Sequence, residues 1–231
     1  MYYKEYGNPA GQLVVFIHGG FTMNESFEQQ YHLLPDKRMI FVDLPGCGKS
    51  ERVGDKAFSF EDSAMEVIKL IEYLSLNEKV ILIAHSYGGL VVKEILQRKP
   101  ELVEKIVVGS TNVKKSLLFW LYTRKIGCHI LWKQNKERYL KNGTTWECVC
   151  TMQKDAWSKF SLDSLTVHKE IKALFLVAEK DIGEIRESMK LWEKKFPNHE
   201  SYEVKDSGHN YFTDFPDKVN PVVASFCSGR Q

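Results

Sequence analysis

The 231-residue sequence predicts an α/β fold: a mostly parallel sheet with helices on both faces and one helical insertion. Three observations carry this. Apolar runs of strand length alternate with segments of helical periodicity along most of the chain. The runs are continuous rather than alternately polar, which fits strands buried on both faces. The alternation then stops over residues 113–169, where helical stretches follow one another with no clear strand, and resumes afterwards.

Taken in order, residues 1–6 form an edge strand that ends at the turn Gly7-Asn8-Pro9-Ala10-Gly11. Residues 12–17 make an apolar strand running into His18-Gly19-Gly20-Phe21. A short helix is expected over 26–34 and a buried strand over 39–42, followed by Asp43-Leu44-Pro45-Gly46-Cys47-Gly48-Lys49-Ser50. Over 60–74, Ala64, Val67, Ile68, Ile71 and Leu74 share one helical face, with Ser59 or Glu61 near the cap. The run Val80-Ile81-Leu82-Ile83-Ala84 reads as a strand and 90–96 as a helix. Residues 103–108 are the next strand. After the insertion come a strand at 171–178, a helix at 184–196, a strand at 199–204 and a last helix near 219–226. The expected organisation is a core of residues 1–112 and 170–231, with 113–169 as a helical cap over the carboxyl edge of the sheet, where open α/β sheets bind ligands.

Composition narrows the class. Hydrophobic residues are 43% and charged residues 27% of the chain, as in a soluble globular domain. A net charge of +2 is too small to imply nucleic acid. No apolar run approaches the ~20 residues that span a bilayer, and Met1-Tyr2-Tyr3-Lys4-Glu5 lacks the apolar core of a signal peptide. Five scattered cysteines suggest reduced thiols and a cytoplasmic location. Cys148-Val149-Cys150 has no matching Cys/His pair at metal-binding spacing, so no metal site is expected there.

Between the strand at 80–84 and the helix at 90–96 stands Ser86, with Ala84 two before it and Gly88 two after. A serine on a sharp strand-to-helix turn takes a strained backbone conformation that admits only small residues at those positions. The turn lifts the hydroxyl clear of the sheet and puts a helix N-terminus beneath it. Asp181 and His209 each follow a later strand, so they fall on loops at the same sheet edge. The order Ser, Asp, His suits proton transfer from Ser86 to His209, with Asp181 fixing the imidazole tautomer. Glu179 is a rival acid, but it is expected still to lie in the strand end. His209 as an ordinary loop histidine and Asp181 as a turn or cap residue are the plainer alternatives. The glycines of His18-Gly19-Gly20-Phe21 let backbone N–H groups approach a developing oxyanion. The expected donors are Tyr87 and Gly20, with Phe21 as second choice. His18 is expected to brace its loop, and His85 to point away from the nucleophile. Gly46-Cys47-Gly48-Lys49-Ser50 is not a phosphate loop, because the position that loop needs as glycine is Asp43.

With these motifs assembled, the sequence resembles the α/β-hydrolase superfamily, of the capped type that includes many esterases and lactonases. The resemblance rests on His18-Gly19-Gly20, Asp43-x-x-Gly46-x-Gly48-x-Ser50, Ala84-His85-Ser86-Tyr87-Gly88-Gly89, Glu179-Lys180-Asp181 and Gly208-His209. It departs at Ala84, where glycine is commoner, and in a short N-terminus that suggests a trimmed first strand pair. In that family the Asp43 motif ties down a loop. The resemblance implies acyl transfer to water without metal or cofactor and leaves the substrate open; the reading adopted is a carboxylic ester of a small to medium acyl group, with thioester or lactone as near neighbours. The same triad serves C–C hydrolases and lyase-type enzymes on acidic metabolites, and the fold also hosts non-catalytic receptors.

The insertion carries eleven Lys and Arg against four carboxylates, a balance of +7 that leaves −5 elsewhere. Such asymmetry can steer an anionic substrate, although a solvated helical surface explains it more simply. Trp120, Trp132, Trp146 and Trp157 are candidate lining for an acyl pocket, within a set of aromatics that supplies the cap's own core. The apolar run over 117–122 fits packing inside the cap better than membrane contact. The partner expected is a small-molecule substrate, with no nucleic acid and no stable membrane association.

Overall fold

The computed structural model describes residues 1–75 and 78–229. Among these, seven strands form one sheet: β1 (Tyr3–Gly7), β2 (Leu13–Ile17), β3 (Arg38–Val42), β4 (Val80–His85), β5 (Val103–Gly109), β6 (Lys172–Ala178) and β7 (His199–Val204). The spatial order is β1-β3-β2-β4-β5-β6-β7. Only β1, at the edge, runs antiparallel to its neighbour; the other pairings are parallel.

Successive side chains of a strand point to opposite faces, which explains the continuous apolar runs. Leu13, Val15 and Ile17 of β2 join Val80, Leu82 and Ala84 of β4 in one buried cluster. Helices α1 (Phe60–Leu74), α2 (Gly88–Arg98) and α6 (Gly183–Glu193) cover that face through Val67, Ile71, Leu90, Ile95 and Trp192. Val14 and Phe16, with Ile81 and Ile83, face the other cluster, covered by α7 (Tyr211–Asp214) and α8 (Pro216–Ser228) through Phe212, Val219 and Val223. Both faces of each central strand are therefore dry. At the start of α1, the Ser59 hydroxyl accepts the Asp62 N–H at 3.2 Å, the side-chain cap expected there.

Three elements differ from their sequence expectation by three residues or more; the helix expected at 184–196 ends early, at Glu193. The helix expected at 26–34 is a 3-10 helix over Asn24–Gln30, and Phe27 inside it leaves helical geometry with φ −113°. Its first N–H, from Asn24, goes to the Asp43 carboxylate rather than to a cap on its own segment. The last helix begins at Pro216 and so is longer than expected. Pro216 fits the first helical turn, where its missing N–H costs no hydrogen bond.

Residues 113–169, between β5 and β6, hold α3 (Leu117–Tyr122), α4 (Lys125–Lys141) and α5 (Trp146–Lys159). This helical segment is tied to loops at the carboxyl ends of the strands. Gly48 N–H donates to the Asn142 carbonyl at 3.0 Å, and the Asn142 amide donates to the Phe21 carbonyl at 3.1 Å. Phe60 N–H donates to Asp155 at 2.8 Å, and Lys93 donates to the Lys159 carbonyl at 2.7 Å. No helix among the described residues is long and apolar enough to cross a membrane.

The loop after β3 is organised by Asp43, which is fully buried. One carboxylate oxygen accepts the Asn24 N–H at 2.7 Å and the Asn24 amide at 2.6 Å; the other accepts the Lys49 N–H at 2.8 Å. Asp43→Ala strands these donors, so it is expected to cost about 3 kcal/mol or more of unfolding free energy, read by urea titration with an unchanged m-value. A loss under about 1 kcal/mol would place the constraint on this loop elsewhere.

Candidate active site

Ser86 joins β4 to α2 in the left-handed region, with φ 53°. Its N–H donates to the Gly109 carbonyl at 2.7 Å, and its carbonyl accepts the Thr111 hydroxyl at 2.8 Å. These bonds hold a conformation that a non-glycine residue otherwise avoids. The glycines around it answer to crowding. A Cβ on Gly88 would lie 2.8 Å from the His18 carbonyl oxygen and closer still to that of Ile17. One on Gly19 would come within 3.2 Å of Ser86 Cβ.

The loops after β6 and β7 bring Asp181 and His209 to this turn. His209 Nδ1 lies 2.8 Å from Asp181 Oδ1, and Nε2 lies 2.9 Å from Ser86 Oγ. A carboxylate only accepts, so Nδ1 carries the proton and Nε2 is left as the acceptor for the Ser86 hydroxyl. The other Asp181 oxygen accepts the Ser110 hydroxyl and the Ala178 N–H, the latter at 3.0 Å. Burial raises the affinity of Asp181 for a proton. Hydrogen bonding and charge from His209, with the bonds from Ser110 and Ala178, outweigh it and hold the carboxyl below its ordinary value.

The sequence singled out several neighbours without their partners. His85 Nε2 donates to the His209 carbonyl at 2.8 Å, with ring centroids 4.9 Å apart. Burial, then the adjacent His209, push His85 down to about 3, so its imidazole stays neutral. Glu179 lies just past the end of β6, not within it as expected. Its carboxylate accepts the Asp206 N–H at 2.7 Å and braces the His209 loop from the far side. His18 Nε2 accepts the Leu44 N–H at 3.0 Å, which leaves its Nδ1–H for the Gly19 carbonyl at 2.7 Å. Burial keeps that ring neutral too.

Gly20 and Tyr87 face each other across the turn: a Cβ on Gly20 would meet the Tyr87 ring at 2.7 Å and Met152 Sδ at 3.2 Å. The Tyr87 hydroxyl donates to Gln153, so α5 reaches the residue next to Ser86. Among the described residues, the N–H groups of Gly20, Phe21 and Tyr87 have no protein acceptor. Phe21 adopts φ 62°, and its ring lies 5.1 Å from that of Tyr139 on α4.

The four candidate pocket tryptophans make their ring contacts within the helical segment. Trp132 packs edge-on to Trp146 at 5.9 Å, Trp157 packs against Phe160 at 6.2 Å, and Trp120 lies under Arg124. None of these contacts is with Ser86, Asp181 or His209. The helical residues that do reach the turn are Met152, Gln153 and Phe160. All five cysteines are free, and no group of three His, Cys, Asp or Glu among the described residues is placed to hold a metal.

The family model for the alpha/beta hydrolase fold matches residues 12–126, a stretch that contains β2, the Asp43 loop and the Ser86 turn. The chain belongs to the α/β-hydrolase superfamily. Over 148 residues it is 32% identical to the uncharacterized hydrolase YugF of Bacillus subtilis, an alignment covering 62% of this chain and 54% of that protein. Such alignments span between 28% and 54% of the length of the first curated relatives. In structure the chain is similar to a thermophilic esterase from Thermogutta terrifontis, with TM-score 0.80 and 18% identity over 99% of this chain and 93% of that one. It is also similar to the enol-lactonase from Burkholderia xenovorans, with TM-score 0.78 and 16% identity over 98% and 96% of the two chains. These two likenesses establish the α/β-hydrolase fold.

The Asp181–His209 contact makes a pH prediction. A carboxyl depressed in the folded state contributes stability above its ordinary value of 3.8, and that contribution is lost as pH falls through the lower folded value. Asp181→Asn is therefore expected to flatten the fall of stability on the acid side of pH 4, read by denaturant unfolding across pH. The downfield imidazole N–H resonance of His209 should vanish in the same variant.

Proposed function

We propose that this α/β-hydrolase chain is a serine hydrolase acting on carboxylic esters of small to medium acyl groups, with thioesters and lactones as near neighbours. The observation that carries this is the single imidazole spanning Ser86 Oγ at 2.9 Å and Asp181 Oδ1 at 2.8 Å. Three groups that each favour transfer of one proton are a costly arrangement for a site that only binds. An esterase and an enol-lactonase among the similar structures agree with it.

In this reading Ser86 Oγ attacks the carbonyl carbon as His209 Nε2 takes its proton. Asp181 holds the Nδ1–H and stabilises the imidazolium that forms. The oxyanion rests on the N–H groups of Tyr87 and Gly20, with Phe21 as second choice, each lacking a competing protein acceptor. His209 gives its proton to the leaving group, then draws one from the water that releases the acid. The helical segment acts as a cap, with Met152 and Phe21 nearer the acyl group than the four tryptophans.

A second reading, cleavage of a C–C or related bond in an acidic metabolite, is favoured by one feature. Arg138 of α4 lines a cleft with His85, Asn210 and Asp214, beside the His209 loop but not lined by Ser86 itself. In this reading its guanidinium would hold a substrate carboxylate.

A fluorophosphonate probe is expected to add once to the wild type and not to Ser86→Ala. Hydrolysis of p-nitrophenyl esters should fall about a thousandfold or more in that variant, because the triad acts as a unit. A single adduct without ester turnover would shift the case to the second reading. No adduct would overturn the activated serine.

A further inference from the structure

The helical segment presents an apolar face that its own packing leaves open. Leu117 is 73% exposed and Leu121 50%, one turn apart on α3; Ile126 is 77% exposed and Ile130 45%, one turn apart on α4. The junction between the helices is tight, with Gly127 of α4 against the backbone of Leu121 and Tyr122, so both pairs flank one corner of the segment. Packing within the cap was the expectation for the run at 117–122, and Leu117 and Leu121 depart from it; the side chain of Leu118 lies outside the described residues.

The chain around this face is basic; among the described residues Lys114 pairs with Glu187 of α6, while Arg124, Lys125 and Lys133 face no carboxylate. Residues 113–136 contain six Lys and Arg and no Asp or Glu. The Arg124 guanidinium lies 4.2 Å from the Trp120 ring centroid, and Lys115 Nζ lies 5.7 Å from that of Trp157. Both tryptophans share a surface depression with Lys115, Ser116 and Leu117. Lys125 and Lys133 are exposed beside the isoleucines. Exposed aliphatic tips, indole rings at their border and unopposed cations are the composition of a surface that settles at the headgroup level of a bilayer. An acidic protein surface would match the charge, but it would cover the aliphatic tips only with a groove of matching shape. A lipid surface takes them without one.

We propose that α3 and the first half of α4 dock the protein reversibly on a membrane surface rich in anionic lipid. Leu117, Leu121, Ile126 and Ile130 enter the boundary between headgroups and acyl chains, and Arg124, Lys125 and Lys133 meet lipid phosphates. The docking is independent of the chemistry assigned to Ser86.

The test is co-flotation of the full chain with phosphatidylcholine vesicles, with and without phosphatidylserine, at low and near-physiological salt. Binding is expected only with phosphatidylserine, and weaker as salt rises. Joint replacement Leu117→Gln with Ile126→Gln should weaken it about tenfold or more. Lys125→Gln and Lys133→Gln should each weaken it about fivefold. These sites are exposed, and an unchanged circular dichroism spectrum would confirm the fold. Failure to float with either vesicle, or binding indifferent to all four substitutions, would overturn the proposal. So would self-association abolished by the leucine and isoleucine changes, which would give the face to a second copy. Capture of an acidic carrier-type domain without any vesicle binding would give it to a protein.

Discussion

The left-handed backbone of Ser86 is the constraint on which the rest of the site depends. At φ 53° the turn is unfavourable for serine, and it persists because both peptide groups are spoken for by β5 and the residues after it. Its tightness brings the start of α2 against the carbonyls of Ile17 and His18, where only glycine fits. The loop after β2 is thereby pressed against the turn, with Gly20 on the Tyr87 ring. Its two glycines and the Ser86 turn thus answer to one crowding problem.

The second arrangement is a set of braces around His209. Asp181 fixes its ring, His85 fixes its carbonyl, and Glu179 fixes the backbone at Asp206, three residues before it. Half-buried His85 stays neutral, so it holds the carbonyl as a donor without placing a positive charge beside the His209 ring.

Much of this was legible in the sequence, and the limits have physical causes. Residues on loops that follow strands must collect at one sheet edge, so Ser86, Asp181 and His209 could be placed together before any geometry was known. Strands buried on both faces announce themselves by continuous apolar runs, as β2 and β4 do. The braces left no such mark. His85 is adjacent to Ser86 in sequence, yet its partner is a backbone carbonyl over a hundred residues away, and a main-chain acceptor has no residue type to read. Met152 and Gln153 escaped notice because the approach of α5 to the turn depends on tertiary packing, whereas tryptophans draw the eye by size. The 3-10 helix at Asn24–Gln30 was misjudged because a buried carboxylate from another loop, Asp43, takes its first N–H.

Asn142 has a consequence for how the molecule moves. Its carbonyl holds Gly48 of the loop after β3, while its side-chain amide holds the carbonyl of Phe21 in the loop after β2. One residue at the end of α4 thus grips two core loops, one of which offers the free N–H groups beside Ser86. A rigid-body swing of the helices would pull on that loop like a handle on a latch. Opening the route to the serine and loosening the hydrogen-bond donors around it would then be one mechanical event.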